Sequence, residues 1–228
     1  MTGMYRERAG RAGSVLWTRE VRAGEALRHR ILPDGCLDLI WVDGRVLVAG
    51  PDTAAHEVSS APGTSYVGIR FAPGTGPGVL GVPANELTDQ RLDLSELWPD
   101  RAARRLAERV GDSADRGAAL EQAVADRLAP PDRVLAGVVA GLRAGRPVAE
   151  VAGAVGLSER QLHRRSLAGF GYGPKTLARV LRLERALALA TAGLPYAEVA
   201  ASTGYADQAH LARDVKALAG VPLTILLG

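Results

Sequence analysis

The segment VAEVAGAVGLSERQLHR, from Val148 to Arg164, recurs as YAEVAASTGYADQAHLAR from Tyr196 to Arg213. The two copies align at an offset of 48 residues as far as Gly156 and Gly204, and at an offset of 49 residues beyond them. The second copy therefore carries one extra residue in its turn. Self-similarity of this kind indicates two copies of one supersecondary unit.

The repeated unit has the residue pattern of a helix-turn-helix. Ala152 leaves room for a second helix to cross the first closely, Gly156 permits a sharp turn, and Leu162 anchors the second helix to the core. The second copy has the same residue types at Ala200, Gly204 and Leu211. Such a second helix protrudes enough to enter a DNA major groove. A single copy also occurs in helical proteins that never contact nucleic acid, so a protein-interaction bundle is the alternative; the duplication favours DNA.

Helix signals around the repeats predict an all-α second half. Helices are expected over residues 133–144 and 148–155, the latter with a proline in its first turn. Ser158 and Gln161 form a capping box that begins the next helix. A helix from Pro174 to Ala192 joins the two units, and at 1.5 Å per residue about 18 residues span roughly 27 Å. That length approaches one turn of DNA, about 34 Å.

Charge separates the two halves of the chain more sharply than the formal net charge of +3 indicates. Residues 1–132 hold 16 Arg and Lys against 19 Asp and Glu, a net charge of −3, whereas residues 133–228 hold 12 against 6, a net charge of +6. A basic half attracts polyanions. The single cysteine, Cys36, excludes a disulfide framework within the chain, and no run approaches the ~18 apolar residues of a membrane span. We expect a cytoplasmic protein with no membrane partner and no cofactor.

Short runs rich in β-branched or aromatic residues, bounded by Gly, Pro and Asp, predict strands in the first half. The runs cover residues 14–20, 26–32, 36–42, 45–49 and 65–71. Pro33-Asp34-Gly35 and Asp43-Gly44 have the composition of tight turns. Strands at this spacing indicate a small antiparallel sandwich or barrel. The stretch from Gly74 to Gly78 is predicted as a loop, and it lacks the Lys-Ser/Thr pair of a phosphate-binding loop.

The segment from Ser95 to Leu128 predicts two modest helices, the second with an apolar stripe of Leu120, Val124 and Leu128. A stripe this narrow could pack on either domain or on a second copy of the chain. Pro130-Pro131 ends the segment because two prolines cannot continue a helix. The predicted fold class is α+β: a β-rich barrel or sandwich over residues 1–95, a helical linker over 96–131, and over 132–228 an all-α domain with two helix-turn-helix units joined by a long helix.

The second half resembles the C-terminal DNA-binding domain of AraC/XylS-type transcription regulators. The resemblance is carried by Val151-Ala152, Leu157 to Arg164, Gly171 to Pro174, and Gly204 to Arg213. The first half is similar to an uncharacterised cupin-like segment that precedes such domains in bacterial regulators, through Leu32 to Cys36, Val48 to Thr53 and Gly68 to Phe71. The sequence departs from the family at Leu211 and Leu218, where aromatic residues are common, and in its ending, which predicts a shorter final helix.

The first recognition helix is expected to present its early polar residues to DNA. These are Ser158, Glu159, Arg160, Gln161, His163, Arg164 and Arg165, whereas Leu162 and Ser166 face the core. Arginine bridges guanine O6 and N7, and glutamine pairs with adenine N6 and N7. We expect base or near-base contacts from Arg160, Gln161 and Arg164, and a phosphate contact from Arg165. A solvated helix face is the alternative.

The second recognition helix is expected to begin at an N-cap, Asp207. The side chains expected to face DNA are those of Gln208, Ala209, His210, Ala212, Arg213 and Lys216. Arg213 has a second interpretation, because Arg164 occupies the same place in the first copy: an ion pair inside each unit with Glu150 or Glu198. Both interpretations of Arg213 stay open.

Polar residues in the strands are candidates for a ligand pocket. Strict alternation lets His29, Cys36 and Asp38 meet inside the barrel, and with Arg70 they are the candidate ligand-binding residues. Hydrogen-bonded polar residues in a core, with Cys36 acting as a small hydrophobe, are the alternative. A rival function places thiol chemistry at Cys36 or a metal on His29, His56 and Asp38. Without a second cysteine or a spaced histidine pair, no metal is expected.

These features together predict a one-component bacterial transcription regulator that is not an enzyme. Its first domain would sense a signal or dimerise, and its second would bind duplex DNA. A signal that favours one arrangement of the first domain would change how the second presents its helices. The expected partners are double-stranded DNA, a small-molecule effector, RNA polymerase and a second copy of the chain.

Overall fold

The computed structural model describes residues 4–24, 27–130 and 132–227. In the first domain the described strands form a six-stranded antiparallel sheet, ordered β1-β2-β7-β4-β5-β8, and a two-stranded sheet of β3 and β6. The strands are β1 Met4–Ala9, β2 Val15–Glu20, β3 Leu27–Ile31, β4 Asp38–Val42, β5 Arg45–Ala49, β6 His56–Ser60, β7 Ser65–Arg70 and β8 Arg91–Asp93.

The helices of the described residues are α1 Gly76–Leu80, α2 Asp100–Gly111, α3 Arg116–Val124, α4 Arg133–Arg143, α5 Val148–Ala154, α6 Glu159–Phe170, α7 Pro174–Thr191, α8 Tyr196–Thr203, α9 Gln208–Ala219 and α10 Leu223–Leu227. Short 3-10 turns lie at Arg11–Gly13, Ala84–Glu86, Leu94–Glu96 and Ala125–Arg127. Within the described ranges, no helix combines the length and apolarity that crossing a bilayer requires.

The predicted strand regions are confirmed, with ends that differ by one or two residues. The predicted strand over 26–32 starts at Ala26, which lies outside the described residues. The turn at Asp43-Gly44 places both residues in the left-handed region, with φ of 47° and 76°, which suits a two-residue hairpin between β4 and β5. The sequence did not predict β1, β6 or β8. β1 is exposed along its whole length, so it shows no alternation of buried and exposed residues.

Two predictions between the domains need correction. The predicted loop over Gly74 to Gly78 is partly helical, because α1 begins at Gly76 with a proline in its first turn and buries Val79 and Leu80. The second predicted helix of this segment ends at Val124 rather than Leu128, where the chain tightens into a 3-10 turn.

The six-stranded sheet packs one face against α2 and α3. Leu39, Val48 and Ile69 from the strands share a core with Leu106 and Val110 from α2, and with Leu120 and Val124 from α3. The apolar stripe of α3 therefore packs on the strand domain. The opposite face of the same sheet is left for β3 and β6 to cover.

The C-terminal half has two small hydrophobic cores, one packed on the N-terminal part of α7 and the other on its C-terminal part. The first surrounds Leu162, Leu177 and Leu181, and the second surrounds Leu183, Leu211 and Val215. α7 is the 18-residue connecting helix that the sequence predicts, and it begins at a proline. The last described helix, α10, covers Leu223–Leu227.

Candidate DNA-binding surface and effector cavity

The first recognition helix, α6, begins at the predicted capping box. The amide of Ser158 donates to Gln161 Oε1 at 2.9 Å, and the amide of Gln161 donates to Ser158 Oγ at 3.3 Å. Because this pairing occupies Gln161 Oε1, a bidentate contact between Gln161 and adenine would require the capping box to open. The sequence pattern predicts both the cap and the adenine contact of Gln161 and does not reveal that the two compete for one oxygen atom.

The exposed face of α6 has the predicted composition. Leu162 and Ser166 are fully buried. The side chains of Glu159, Arg160, Gln161, His163, Arg164 and Arg165 belong to exposed residues. Arg165 lies 3.8 Å from Asp132 in an exposed ion pair. His163 packs against Gly173, where an added Cβ would lie 2.7 Å from the imidazole ring.

The second recognition helix, α9, begins at the predicted N-cap. The Asp207 carboxylate accepts a hydrogen bond from the amide of His210 at 2.6 Å. The His210 ring is itself committed, because its Nδ1 accepts from the amide of Ala206 at 3.3 Å and its plane stands edge-on to Tyr205, with ring centres 5.1 Å apart. His210 thus has a structural task besides any contact with DNA. Gln208, Ala209, Ala212, Arg213 and Lys216 are exposed.

The alternative interpretation of Arg213 is not supported by the structure. Among the ion pairs of the described residues, neither Arg213 nor Arg164 contacts a carboxylate. The arginine that forms an ion pair inside the second unit is instead Arg179 on α7, which donates to the buried carboxylate of Asp214 on α9. Sequence reasoning missed this pair, since no local pattern indicates that positions 35 residues apart meet.

A cavity of about 820 Å³ lies between the six-stranded sheet and the β3-β6 pair. All four candidate ligand-binding residues line it: His29, Cys36, Asp38 and Arg70. The walls also include residues that the sequence did not single out, above all Tyr5, Trp17, Arg19, Tyr66 and Arg91. A cavity of this volume lies within the range of about 300–1,000 Å³ that is typical of small-molecule sites.

Gly68 shapes the floor of the cavity. It lies directly between Trp17 on β2 and Ile40 on β4 in the strand register. An added Cβ at Gly68 would come within 2.2 Å of the Trp17 indole. The absent side chain therefore lets the indole lie over the sheet, where Trp17 Nε1 donates to Asp38 at 2.6 Å.

Arg70 lies among carboxylates at one end of the cavity. Its Nε is 3.1 Å from Asp34 and 3.6 Å from Asp38, and its Nη1 is 3.6 Å from Glu7. Burial raises the pKa of Asp38 to about 6, although the Arg70 charge opposes that rise. Burial likewise raises the pKa of Asp34. This end of the cavity thus holds a preassembled charge cluster.

His29 does not behave as a satisfied polar core residue. Its Nδ1 is buried, and within the described part of the chain it has no hydrogen-bond partner. Burial, together with the positive charge of Arg19 and the proximity of His56, lowers the pKa of His29 to about 4. The imidazole is consequently neutral near pH 7. The alternative of a hydrogen-bonded core applies to Asp38 but not to His29.

The described residues around Cys36 do not favour the rival thiol chemistry or the rival metal site. Burial and the neighbouring Asp34 and Asp38 carboxylates raise the pKa of the Cys36 thiol, which suppresses the nucleophilic thiolate. In the described ranges no three His, Cys, Asp or Glu side chains gather as metal ligands. His56, offered as a ligand with His29 and Asp38, instead contacts Asp52 at 3.6 Å and Arg91 at 3.0 Å.

The two domains contact each other at the C-terminal ends of both recognition helices. Thr88 Oγ1 donates to the Gly171 carbonyl, just beyond α6, at 3.0 Å. Arg30 on β3 donates to the Ala219 carbonyl at the end of α9, also at 3.0 Å. The amide of Ala55 donates to the Leu218 carbonyl at 2.7 Å. Arg30 also lines the cavity, so one residue contacts both functional regions.

Two family models match separate parts of the chain. Residues 141–226 match a family model described as a helix-turn-helix domain, and residues 14–93 match one described as a domain of unknown function, DUF6597. The chain therefore carries a helix-turn-helix domain in its C-terminal half and a DUF6597 domain in front of it. No curated protein matches the sequence of this chain.

Solved structures of ToxT from Vibrio cholerae share the fold of this chain over nearly its whole length. An apo single-residue variant from strain SCE256 aligns at a TM-score of 0.50 with 10% identity, covering 96% of this chain and 98% of that one. ToxT from O395 gives 0.50 and 10%, with coverages of 94% and 96%. Wild-type ToxT from strain SCE256 with a bound unsaturated fatty acid gives 0.50 and 9%, with 96% of both chains covered.

Proposed function

We propose that this regulator places α6 and α9 in two successive major grooves on one face of duplex DNA. The observation that carries the proposal is the pair of exposed, capped helices held at the two ends of one 18-residue helix. That helix is roughly 27 Å long at 1.5 Å per residue, and successive grooves lie about 34 Å apart. The remaining separation fits the reach of the side chains.

The assignment of DNA contacts follows from exposure and chemistry. Arg160 and Arg164 are exposed on α6 with no carboxylate partner among the described residues, and they suit guanine O6 and N7. Arg165 is proposed for phosphate, after release of its exposed pair with Asp132. Ser158 and Asp207 present helix N-terminal amides, which favour phosphate. Gln161 contributes mainly through its cap.

On α9 the proposed contacts come from four exposed residues. Gln208 and Ala209 lie in the first turn, Gln208 for adenine and Ala209 for the thymine methyl group. Arg213 is free of the proposed ion pair with Glu198 and is assigned to a base, and Lys216 in the last turn is assigned to phosphate. His210 positions the start of the helix.

We propose that a small molecule in the cavity changes the presentation of both helices. Support comes from the shared wall: Arg30 lines the cavity and bonds to the end of α9, and Leu32, also in the wall, packs on the core of the second unit. A ligand that prefers one arrangement of this wall shifts the population of both domains by its differential affinity. ToxT of the same fold has been solved with an unsaturated fatty acid bound.

The remaining parts of the proposal concern partners and chemistry. The N-terminal domain binds its effector without catalysing a reaction, and the raised pKa of the buried Cys36 thiol supports this. Contact with RNA polymerase, a homodimeric state and a cytoplasmic location stay predictions. Retention of DNA binding by a Cys36→Ser variant would support a dispensable thiol.

The experiment that tests DNA recognition is selection of bound fragments from random DNA with the full chain, repeated with Arg160→Ala and Lys216→Ala. Loss of Arg160 should relax preference at one base position by about 1–3 kcal/mol, and loss of Lys216 should weaken all sequences alike and lower the salt slope by about 1. Arg105→Ala, an exposed cation on α2, is the matched control and should change neither. A DNA affinity that does not fall as salt is added would instead favour a protein-interaction bundle, because binding through phosphate contacts is salt-dependent.

A further inference from the structure

We infer that the cavity binds an organic monoacid with an apolar body, and that its carboxylate pairs with Arg19. The inference rests on the proposed effector role of the cavity and names the chemical class that this site selects. It is carried by one cation in the cavity wall that, among the described residues, lacks the anionic partner that its neighbours have.

Arg19 lies in a row of three side chains across the sheet. The strand register places it opposite Tyr5 on β1 and Tyr66 on β7, and all three residues line the cavity. The Arg19 guanidinium stacks over the Tyr5 ring at 5.0 Å from the ring centre. Stacking fixes the plane of the guanidinium and leaves its edge, which carries the N–H donors, available to a ligand.

Every other arginine in the cavity wall has an internal carboxylate. Arg70 lies beside Asp34 and Asp38, Arg91 donates to Asp52 at 2.7 Å, and Arg30 pairs with Glu57. No ion pair of Arg19 occurs within the part of the chain that the structure describes, although burial lowers the pKa of its guanidinium. A partly desolvated cation without an anion is a ready site for a carboxylate, which it can bind through two parallel hydrogen bonds.

His29 supplies a second polar group for the same acid. Its imidazole is close enough to Arg19 that the arginine charge helps to lower the histidine pKa, and its buried Nδ1 has no partner in the described residues. A neutral imidazole with a free ring nitrogen can donate one hydrogen bond to a carboxylate.

The rest of the wall defines the body of the ligand. Apolar side chains from β4, β5 and β6, with one indole, line the space beyond Arg19: Trp17, Ile40, Val42, Leu47 and Val58. The carboxylates of Asp34 and Asp38 occupy the Arg70 end of the same cavity, so a second negative charge on the ligand would be repelled there. A single acid group on an apolar body fits both constraints.

The test is calorimetric titration of the full chain with two matched series that share a body and differ in one group. The first is 2-naphthoate, 2-naphthamide and 2-naphthylmethylammonium, and the second is octanoate, octanamide and octylammonium. We expect at least one acid to bind at least tenfold more tightly than its amide and its ammonium analogue. Arg19→Gln should remove that preference by weakening the acid tenfold or more.

Three controls accompany this test, and the last of them separates the inference from the proposed function. Arg22→Gln changes an exposed arginine in the loop after β2 that does not line the cavity, and it should leave acid binding unchanged. Thermal unfolding should show that Arg19→Gln folds, because removing a desolvated cation relieves a cost. DNA affinity of the ligand-free chain, measured by anisotropy, reports on DNA recognition independently of acid binding.

Three results would overturn the inference. They are failure of both acids to bind at millimolar concentration, tighter binding of an amide or ammonium analogue, and an acid preference that survives in Arg19→Gln. If any of these results is found while the protein still binds DNA, only the assigned ligand class is contradicted. Failure of the wild-type chain to bind DNA would instead contradict the proposed function.

Discussion

Arg179 on the connecting helix and Asp214 on the second recognition helix are joined by two hydrogen bonds to one carboxylate oxygen. Arg179 Nε and Nη2 lie 3.0 and 2.6 Å from Asp214 Oδ1, and the Tyr205 hydroxyl donates to Oδ2 at 3.2 Å. Asp214 is buried, while about two fifths of the Arg179 side chain is exposed. At the offset of 49, Asp214 corresponds to Arg165 in the first unit, which is exposed. The two units thus share a backbone plan but hold their recognition helices by different contacts.

Replacing Arg179 with methionine should destabilise the second unit by about 2 kcal/mol, because the buried Asp214 carboxylate loses its charge partner. The exposure of Arg179 keeps the loss below that of a fully buried pair. Denaturant unfolding measures the change. Arg143→Met breaks a half-exposed pair with Glu184 at 3.2 Å and should cost less than about 1 kcal/mol. Equal losses in the two variants would contradict a structural role for the Arg179 pair.

Gly68→Ala should destabilise the first domain by about 1–3 kcal/mol, because the added Cβ overlaps the Trp17 indole, and overpacking forces the ring to move. The change should also alter Trp17 fluorescence. Gly78→Ala is the control, since Gly78 is exposed in α1 with open space around it, and alanine there should be neutral or stabilising. Unfolding midpoints of the two variants that coincide with the wild type would refute the packing argument.

Short-range sequence patterns were enough to predict the structural features that neighbouring residues determine. Runs rich in β-branched and aromatic residues predicted β4 within residues 36–42 and β7 within residues 65–71. Alternation along residues 27–31 and 36–42 placed His29, Cys36 and Asp38 around one cavity. The repeat predicted both recognition helices. Capping chemistry predicted their N-caps, Ser158 and Asp207, because an N-cap is set by residues two or three positions further along the chain.

Features that depend on distant pairing escaped prediction. β1 has no buried face, so only its pairing with β2 brings Tyr5 beside Arg19. β8 has three residues and forms only against β5. The Arg179 pair with Asp214 depends on the crossing of α7 and α9. Contacts of this kind depend on the complete fold, so no short stretch of sequence predicts them. A charge count likewise gives the sign of a surface but does not identify which charged residues pair.

His210→Ala should lower DNA affinity equally for all sequences and cost about 1 kcal/mol of stability. The reason is that the His210 ring supports the start of α9 through Ala206 and Tyr205. Gln208→Ala, which changes an exposed first-turn residue, should alter preference at one base position without affecting stability. Fragment selection and thermal unfolding measure the two effects. A base-specific change in His210→Ala would assign that ring to recognition instead.

His29 should make the first domain less stable as pH falls. Its folded-state pKa, lowered to about 4, lies below the ordinary value near 6.5, so the unfolded chain binds a proton first. The stabilising contribution is complete above pH 6.5 and is lost as pH falls toward 4. Asp38, with its pKa raised to about 6, contributes in the opposite sense: its stabilisation is present below its ordinary value near 3.8 and is lost as pH rises through 6. Comparison of His29→Asn with the wild type isolates the histidine, and the variant should lose less stability between pH 6.5 and 4. Identical pH profiles would show that His29 is not desolvated.

The contacts between the domains predict where backbone amides lose protection from hydrogen exchange when those contacts are removed. Arg30→Met removes the hydrogen bond to the Ala219 carbonyl, and Thr88→Val removes the one to the Gly171 carbonyl, each worth about 1 kcal/mol. Because these bonds hold the C-terminal ends of α9 and α6, the double variant should exchange amide hydrogens several-fold faster at those ends, while exchange in the centre of α7 stays unchanged. Mass spectrometry of exchanged peptides measures this. Arg45→Met breaks an exposed ion pair with Asp93 in the same domain and should leave both helix ends protected. If exchange in the double variant rises equally throughout the helical domain, the contacts contribute only to global stability and do not link the cavity wall to the recognition helices.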